Sequence, residues 1–225
     1  MSKTALIFWG GWEGHTPARS ANIVKEMLAG HGFDITLEQG TSVLTGSDIS
    51  QFDLIVPMVT MSTIEKDELE NLVAAVRDGT GLAGFHGTMG DSFRNETEYQ
   101  FMVGGQWVSH PGNIIDYRID IAKPDDPIVA GIGDFAYCSE QYYMHVDPSN
   151  EVLATSTFSG DHFDSIAGVV MPVVWKRHYG KGRVFYSALG HTADEFAVPQ
   201  MKTIFERGAL WAAGGFRESG GGGTR

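Results

Sequence analysis

The sequence predicts an α/β protein built on a mostly parallel, doubly wound sheet, with helices on both faces and an antiparallel hairpin in the second half. Two observations support this prediction. In the first half, short apolar runs alternate with amphipathic stretches, which is typical of parallel strands joined by right-handed crossover helices. In the second half, strand-like runs follow one another with few helical stretches between them.

The first half is predicted to run strand, helix, strand, strand, helix, strand. Its strands are predicted from apolar or alternating runs at residues 3–10, 33–40, 51–58 and 81–85. A helix over 18–32 places Val24 and Leu28 on one apolar stripe. A second helix, over 65–78, begins with acidic residues that suit the helix dipole and stops at Gly79.

The second half contributes the antiparallel part. Its strands are predicted at residues 114–122, 151–158, 169–179 and 183–189. The Gly-Lys-Gly turn at 180–182 joins the last two, which therefore form the hairpin. A final helix is expected to begin near Pro199. Because no repeat or linker divides the chain, residues 1–217 are expected to form one domain, and the glycine-rich tail 218–225 is expected to be disordered.

Composition excludes several classes of partner. The formal net charge of −12 leaves no basic surface to neutralise phosphates, so nucleic acids and anionic membranes are not expected as partners. The lone cysteine, Cys138, cannot form an intramolecular disulfide. The apolar stretch near the N-terminus is too short for a signal sequence or a membrane span. These features predict a cytoplasmic protein.

The stretch GLAGFHGTMGDSF, residues 81–93, predicts a sharp strand-to-helix turn with His86 at its crest. The helix after the crest is expected to be capped around Asp91 or Ser92. A serine or cysteine nucleophile commonly occupies such a crest. An imidazole there can instead relay protons, bind a metal ion or hydrogen-bond a substrate. Covalent chemistry is therefore not expected, since Cys138 lies in an unrelated segment.

In doubly wound sheets, ligands bind outside the carboxyl ends of the strands. The histidines beside glycine or proline at strand ends or in loops are His15, His86, His110 and His191. We expect these imidazoles to gather at the ligand-binding edge. The histidines expected at the surface are His31, His162 and His178.

Five stretches, in order, resemble the ThuA-like family of trehalose utilisation proteins: GWEGHTP, GFHGTMGDSF, GGQWVSHPG, DDPIVAGIGDFAYCSEQYYM and WKRHYGKGRVFYSALGH. The resemblance implies a flavodoxin-like fold, similar to the class I glutamine amidotransferase domain without its catalytic cysteine. It also implies a role in the use of trehalose, a related disaccharide or a 3-keto-sugar. Where some members have Asp-Glu-x-Tyr, this chain has Ser139-Glu140-Gln141-Tyr142, so one acid of a carboxylate pair is missing.

These features lead to the hypothesis of an enzyme that acts on a sugar and is not a glutamine amidotransferase. His86 and His191 are the expected general acid–base groups, because imidazole titrates near neutrality, and Glu140 is a third catalytic anchor. The expected substrate contacts are His15, Trp12, His110, Tyr142 and His145. The alternative is a non-catalytic sugar-binding or regulatory domain. In either case the expected partner is a small-molecule carbohydrate, and a homo-oligomer is expected.

A metal-dependent hydrolase is a third hypothesis. Zinc takes three or four nitrogen, sulfur or oxygen ligands, and Glu140, His145 and His191 are the candidate set, with His86 or His110 completing it. The HExxH motif is absent, so a metal-free site that binds sugar hydroxyls remains open.

Aromatic and acidic residues near these motifs have two interpretations. The tryptophans expected in the core are Trp9, Trp175 and Trp211, whereas Trp12 lies in a glycine-rich loop and is equally suited to stacking on a sugar. Asp194 and Glu195 are expected as favourable charges at the start of the final helix. The alternative is that they orient His191.

Overall fold

The computed structural model describes residues 2–215, so the predicted disordered tail at 218–225 lies outside the described residues. The strands are β1 (Thr4–Gly11), β2 (Asp34–Gln39), β3 (Leu54–Thr60), β4 (Gly81–Phe85), β5 (Gly105–Ser109), β6 (Ile114–Ile121), β7 (Phe135–Glu140), β8 (Tyr143–Val146), β9 (Glu151–Thr157), β10 (Val170–Tyr179) and β11 (Gly182–Ser187). The α-helices are α1 (Pro17–Gly30), α2 (Val43–Gly46), α3 (Lys66–Asp78), α4 (His86–Gly90), α5 (Thr97–Val103) and α6 (Pro199–Ala212).

Within residues 2–215, nine strands form one sheet in the order β2-β1-β3-β4-β11-β10-β9-β6-β7. The first five strands in this order are parallel to one another, and they are β2, β1, β3, β4 and β11. The run of buried side chains along β3 and β4 reflects this position, because central parallel strands are covered on both faces. The predicted fold class is confirmed.

The antiparallel part is larger than the predicted hairpin. β10 and β11 pair as predicted, with Tyr179 opposite Gly182 across the turn. The antiparallel pairing then continues through β9 and β6 to β7 at the edge. β5 and β8 form a separate antiparallel pair. The strands β5, β7 and β8 were not predicted, because their short segments lie among loop-like residues.

The helices begin and end where the local sequence favours it. Proline occupies the first position of both α1 and α6, where its missing N–H costs no helical hydrogen bond. A capping box between Glu65 and Glu68 starts α3, and Gly79 ends it. α1 and α6 contact a shared turn at Ala193–Ala197, whereas α3 contacts α5, so the two groups cover the two faces of the sheet.

The core lies between the sheet and these helices, and side chains such as Phe8, Phe85 and Phe185 are fully buried. Burial of each large apolar side chain contributes about 1.5–3 kcal/mol. None of the helices in the described range is both long and apolar enough to cross a membrane. The parallel strands β1, β3, β4 and β11 end along one edge, so the segments that follow them meet there.

Candidate functional site

His86 directly follows β4 and lies at this edge of the sheet, in the sharp turn that the sequence predicts. The backbone of His86 has a φ of +45°, a left-handed conformation that costs energy for a residue with a side chain and is enriched at functional sites. The hydroxyl of Tyr186 donates a hydrogen bond to the His86 carbonyl at 3.0 Å and helps to hold this conformation. The imidazole is completely buried.

The helix that follows is placed differently from the prediction. α4 begins at His86 itself and ends before Asp91, so the predicted N-terminal cap at Asp91 or Ser92 is wrong. The Asp91 carboxylate is instead engaged by the Arg94 guanidinium at 2.6 and 2.8 Å. The hydroxyl of Ser92 donates a hydrogen bond to the carbonyl of Thr88, within the short helix, at 2.8 Å.

Small residues on either side of the crest are required by close neighbours. A β-carbon on Gly84 would lie 2.5 Å from the Met89 side chain. A β-carbon on Gly87 would lie 2.4 Å from the imidazole of His15 and 2.9 Å from the hydroxyl of Tyr142. The backbone of Gly87 therefore forms part of the wall against which two predicted site residues pack.

Side-chain atoms of two residues far along the chain approach Nε2 of His86. Its Nε2 lies 3.0 Å from Oε2 of Glu140, which ends β7, and 3.3 Å from Nδ1 of His191, which follows β11. The same carboxylate oxygen lies 3.3 Å from Nδ1 of His191. On the other side of the His86 ring, Nδ1 donates to the carbonyl of Ala188 at 2.9 Å. A carbonyl only accepts, so this contact places the ring proton on Nδ1 and leaves the Nε2 lone pair for the cluster.

His15 completes the group. Its Nδ1 lies 2.8 Å from the hydroxyl of Thr60, which ends β3. Its ring packs edge-on against those of His86 and His191, at centroid distances of 4.9 and 5.0 Å. One ligand atom from each of four residues lies within 4.8 Å of the others, and these residues are His15, His86, Glu140 and His191. We call this group the imidazole–carboxylate cluster.

Burial and mutual interactions shift two pKa values in the cluster. Burial, together with the nearby rings of His86 and His191, lowers the pKa of His15 to about 3, so this imidazole is neutral at physiological pH. Burial alone would raise the pKa of Glu140. Hydrogen bonds from His191, and from His86 when its ring carries a second proton on Nε2, outweigh burial and hold the pKa of Glu140 below its usual range. The cluster therefore combines a fixed negative charge with a neutral imidazole.

A second layer of aromatic and imidazole groups covers the cluster. The ring of Tyr142 stacks on His86 with a centroid distance of 4.0 Å, and burial raises the pKa of its hydroxyl well above the ordinary value. Nε2 of His110 lies 3.7 Å from Oε1 of Glu140. Among the described residues, the buried His110 Nδ1 and Trp107 Nε1 have no hydrogen-bond partner. Such polar atoms next to a site are suited to a bound polar ligand.

Trp12 lies at the rim. Its side chain is 47% exposed, and its ring meets His15 edge-on at 4.8 Å. The ring folds over Gly14, where a β-carbon would come within 2.3 Å of it. Trp12 is therefore an exposed aromatic surface held in one orientation beside the cluster.

The structure does not bring His145 to the cluster. Residues along β8 alternate between the two sides, so Met144 is buried and His145 is exposed. Of the candidate metal-ligand set, Glu140 and His191 therefore lie in the cluster and His145 lies outside it. The other two members of the cluster are His86, which was expected to complete the set, and His15. The three predicted surface histidines (His31, His162 and His178) are exposed as expected.

For Glu195, the structure favours the alternative interpretation, in which this carboxylate orients His191. Its carboxylate accepts hydrogen bonds from the backbone amides of Gly190 and His191, at 3.2 and 3.0 Å. It also accepts from the hydroxyls of Tyr137 and Ser139. The residue thus orients the backbone that carries His191, and Ser139 serves this network. The available signal was the order Gly-His followed four residues later by a carboxylate.

Other predicted placements have clear outcomes. Trp175 and Trp211 are buried in the core as predicted, and Trp9 is partly buried against it. Asp194 is exposed and pairs with the exposed Arg19 at 2.7 Å. Thr60 and Ala188, the hydrogen-bond partners of His15 and His86, were not singled out, although Thr60 lies at the carboxyl end of β3.

Comparison with solved structures identifies the same architecture in other proteins. A ThuA-like protein from Parabacteroides merdae superposes with a TM-score of 0.75 at 20% identity, over 95% of this chain and 90% of that chain. A ThuA-like protein from Bacteroides uniformis gives a TM-score of 0.74 at 18% identity, over 93% and 91%. A β-galactosidase from Bacillus circulans sp. alkalophilus gives 0.60 at 15% identity, over 94% of this chain and 30% of that one.

A search of the curated proteins found no match for the chain. The sequence model of the family described as ThuA, "Trehalose utilisation", matches residues 4–212. That span takes in all of the strands from β1 to β11 and every member of the imidazole–carboxylate cluster. With the motif order, the fold and the family match in agreement over nearly its whole length, this chain belongs to the ThuA family.

Proposed function

We propose that this protein is an enzyme of carbohydrate utilisation that acts on a trehalose-like disaccharide or its 3-keto derivative. The chemistry takes place at the imidazole–carboxylate cluster and forms no covalent enzyme intermediate. One observation carries the proposal. The crest of the strand-to-helix turn after β4, a position commonly held by a serine or cysteine nucleophile, is occupied by the buried His86, whose Nε2 faces Glu140 and His191.

The geometry supports polarisation and proton exchange more than nucleophilic attack. The Ala188 carbonyl fixes the tautomer of His86, so its Nε2 is presented as an acceptor at the centre of the cluster. Glu140 contributes a negative charge in a site with little exposure to water, where electrostatic interactions are strong. Positioned acid–base groups of this kind contribute about 10²–10⁴-fold to rates.

The surroundings support a sugar as the substrate. The family description names trehalose utilisation, and the rim offers an aromatic face at Trp12 next to polar groups. Aromatic rings pack on the apolar face of a pyranose, while imidazole and indole nitrogens bond its hydroxyls. The unpartnered Trp107 Nε1 and His110 Nδ1 are suited to the second task.

The test is to follow trehalose and its 3-keto derivative by proton NMR in D₂O with the full-length protein. Turnover, or loss of the C–H signal next to the keto group, is expected with the wild type. His86→Ala and His191→Ala are expected to lower the rate by about 100-fold or more. His178→Ala, at an exposed position on β10, is the matched control and should retain the rate. Binding of both sugars by the wild type, without turnover or exchange, would contradict the proposal and support the non-catalytic alternative.

A further inference from the structure

We propose that His86, Glu140 and His191 bind a divalent first-row metal ion, zinc in the first instance, with His15 as the fourth ligand. The inference deepens the proposed function, since it concerns the same cluster. When the ion is bound, the lone pairs of His86 and His191 are coordinated to it. The cluster then acts on the sugar by polarisation through the ion and not by proton exchange at these imidazoles.

The first step is the count of donors and acceptors. The proton of a neutral His86 ring lies on Nδ1, because Ala188 offers only a carbonyl oxygen. Nε2 and Oε2 of Glu140 are then two acceptors 3.0 Å apart. Nδ1 of His191 lies 3.3 Å from each of them. One proton can satisfy one pair of these atoms, whereas a cation between the three atoms satisfies all of them.

The second step is distance. Zinc binds imidazole nitrogen and carboxylate oxygen at about 2.0–2.2 Å, so the ligand atoms of a tetrahedral site lie roughly 3.3–3.6 Å apart. The edges of the His86, Glu140 and His191 triangle are 3.0, 3.3 and 3.3 Å. An ion of this size therefore fits the triangle with little movement of the side chains. A ligand atom of His15 lies within 4.8 Å of the other three, on the same side of the sheet edge.

The third step concerns the hydrogen bonds that hold two of the ligand rings, those of His86 and His15. Metal-bound histidines usually donate their other ring N–H to a carboxylate, a backbone carbonyl or water, which fixes the ring. His86 has Ala188 in this role, and His15 has the hydroxyl of Thr60 at 2.8 Å. The charge also balances, because one carboxylate and three neutral imidazoles leave a divalent ion with a net positive charge that can polarise a sugar oxygen.

The ligand types narrow the choice of ion. Three imidazoles and one carboxylate suit zinc and the neighbouring first-row ions, and they do not suit calcium or magnesium, which prefer oxygen ligands. The arrangement contains no sulfur ligand, since Cys138 is outside the cluster and exposed. Zinc is therefore the first probe, and calcium is the matched negative control.

The experiment uses the full-length protein, prepared without a histidine tag, stripped with a chelator and titrated with ZnCl₂ by calorimetry. About one ion per chain is expected, together with a rise in the unfolding temperature, because a ligand that binds only the folded state stabilises it. Glu140→Gln and His191→Ala should lower the affinity by more than the 10–100-fold typical of an outer-shell partner. His145→Ala and His178→Ala, at exposed positions, should bind as the wild type does.

A second measurement covers the case in which a cluster variant fails to fold. Co²⁺ added to the stripped wild type should give the visible absorption bands of a tetrahedral site, and Zn²⁺ should displace them. Absence of these bands together with absence of zinc binding in the wild type would overturn the inference, as would unchanged zinc affinity in folded Glu140→Gln and His191→Ala. These readouts need no sugar. Sugar turnover without metal binding would therefore refute the metal site alone, and metal binding without turnover would refute the proposed function alone.

Discussion

The Glu195 carboxylate accepts a hydrogen bond from the backbone amide of His191 at 3.0 Å, four residues before it in the chain. This contact connects the final turn before α6 to the imidazole–carboxylate cluster. The same carboxylate accepts from Ser139, one residue before Glu140. One side chain outside the cluster thus holds the backbone of His191 and the side chain of Ser139, the neighbour of Glu140.

Glu195→Gln is expected to lower the free energy of unfolding by about 1–3 kcal/mol, because an amide nitrogen would replace one acceptor among several donors. It should also weaken zinc binding by about 10–100-fold, as expected for a residue that orients a ligand. Urea unfolding and zinc titration measure the two effects. Asp194→Asn is the control, since it removes only an exposed pair with Arg19 and should change stability by less than about 1 kcal/mol. Equal effects of the two substitutions would contradict this role for Glu195.

Gly87→Ala is expected to disturb the cluster from the backbone side. The added methyl would lie 2.4 Å from the His15 ring, so the imidazole has to move or the crest has to shift. Overpacking of this kind costs about 1–3 kcal/mol, measurable by thermal or urea unfolding. Gly30→Ala, at the last residue of α1 with no neighbour within 4 Å, should be neutral or stabilising. If Gly87→Ala were as stable as Gly30→Ala, the close approach at Gly87 would be refuted.

Trp12→Ala is expected to weaken sugar binding with little effect on folding. An aromatic contact contributes about 0.5–1.5 kcal/mol, so the dissociation constant for trehalose, measured by calorimetry, should rise about 2–10-fold. Trp12→Phe should restore part of the affinity. Phe101→Ala, which removes another exposed aromatic side chain, is the control and should leave trehalose binding unchanged. An unchanged dissociation constant in Trp12→Ala would remove Trp12 from the substrate contacts.

Asp147→Asn is expected to make stability less dependent on acid pH. Hydrogen bonds from Ser149 and the charge of Arg177 hold the pKa of Asp147 below its ordinary value of 3.8. A carboxylate with a lowered folded-state pKa stabilises the protein above its unfolded-state pKa, and this contribution is lost as the pH falls through the folded-state value. The variant should be less stable than the wild type at pH 7, by about 1–3 kcal/mol, because the buried Arg177 loses a partner.

The measurement for Asp147→Asn is urea unfolding at a series of pH values from 7 downward. The difference between wild type and variant should shrink as the pH falls below about 4. A difference that is constant with pH would show that the Asp147 charge does not contribute. Asp161→Asn, at an exposed loop position, provides the control.

The sequence alone predicts the parallel half of the fold well, because buried parallel strands and amphipathic helices leave clear patterns, as in β3 and α3. It predicts the crest at His86 for the same reason, since a strand followed by small residues has few other interpretations. The strands β7 and β8 escaped prediction. They are short, and Tyr142 and Glu140 gain their burial only from segments far along the chain.

The cluster was predictable in its members more than in its arrangement. His86 and His191 were singled out as polar residues near predicted strand ends, and Glu140 through its place in the family's acidic motif. The structure brings the three together. The prediction for His145 was wrong because it inferred closeness in space from a separation of only five residues from Glu140. Strand alternation decides which side it faces, and that depends on the register between β5 and β8. Glu195 was interpreted first as a charge at the start of the final helix, whereas its hydrogen bonds fit the alternative, a carboxylate that orients His191.

The last strand within residues 2–215, β11, lies between β4 and β10 and joins the parallel and antiparallel halves. During synthesis on the ribosome, the two halves of the sheet therefore cannot pair until β11 has emerged. His191 follows only four residues after that strand. A nascent chain therefore has no assembled imidazole–carboxylate cluster until nearly all of the fold is translated.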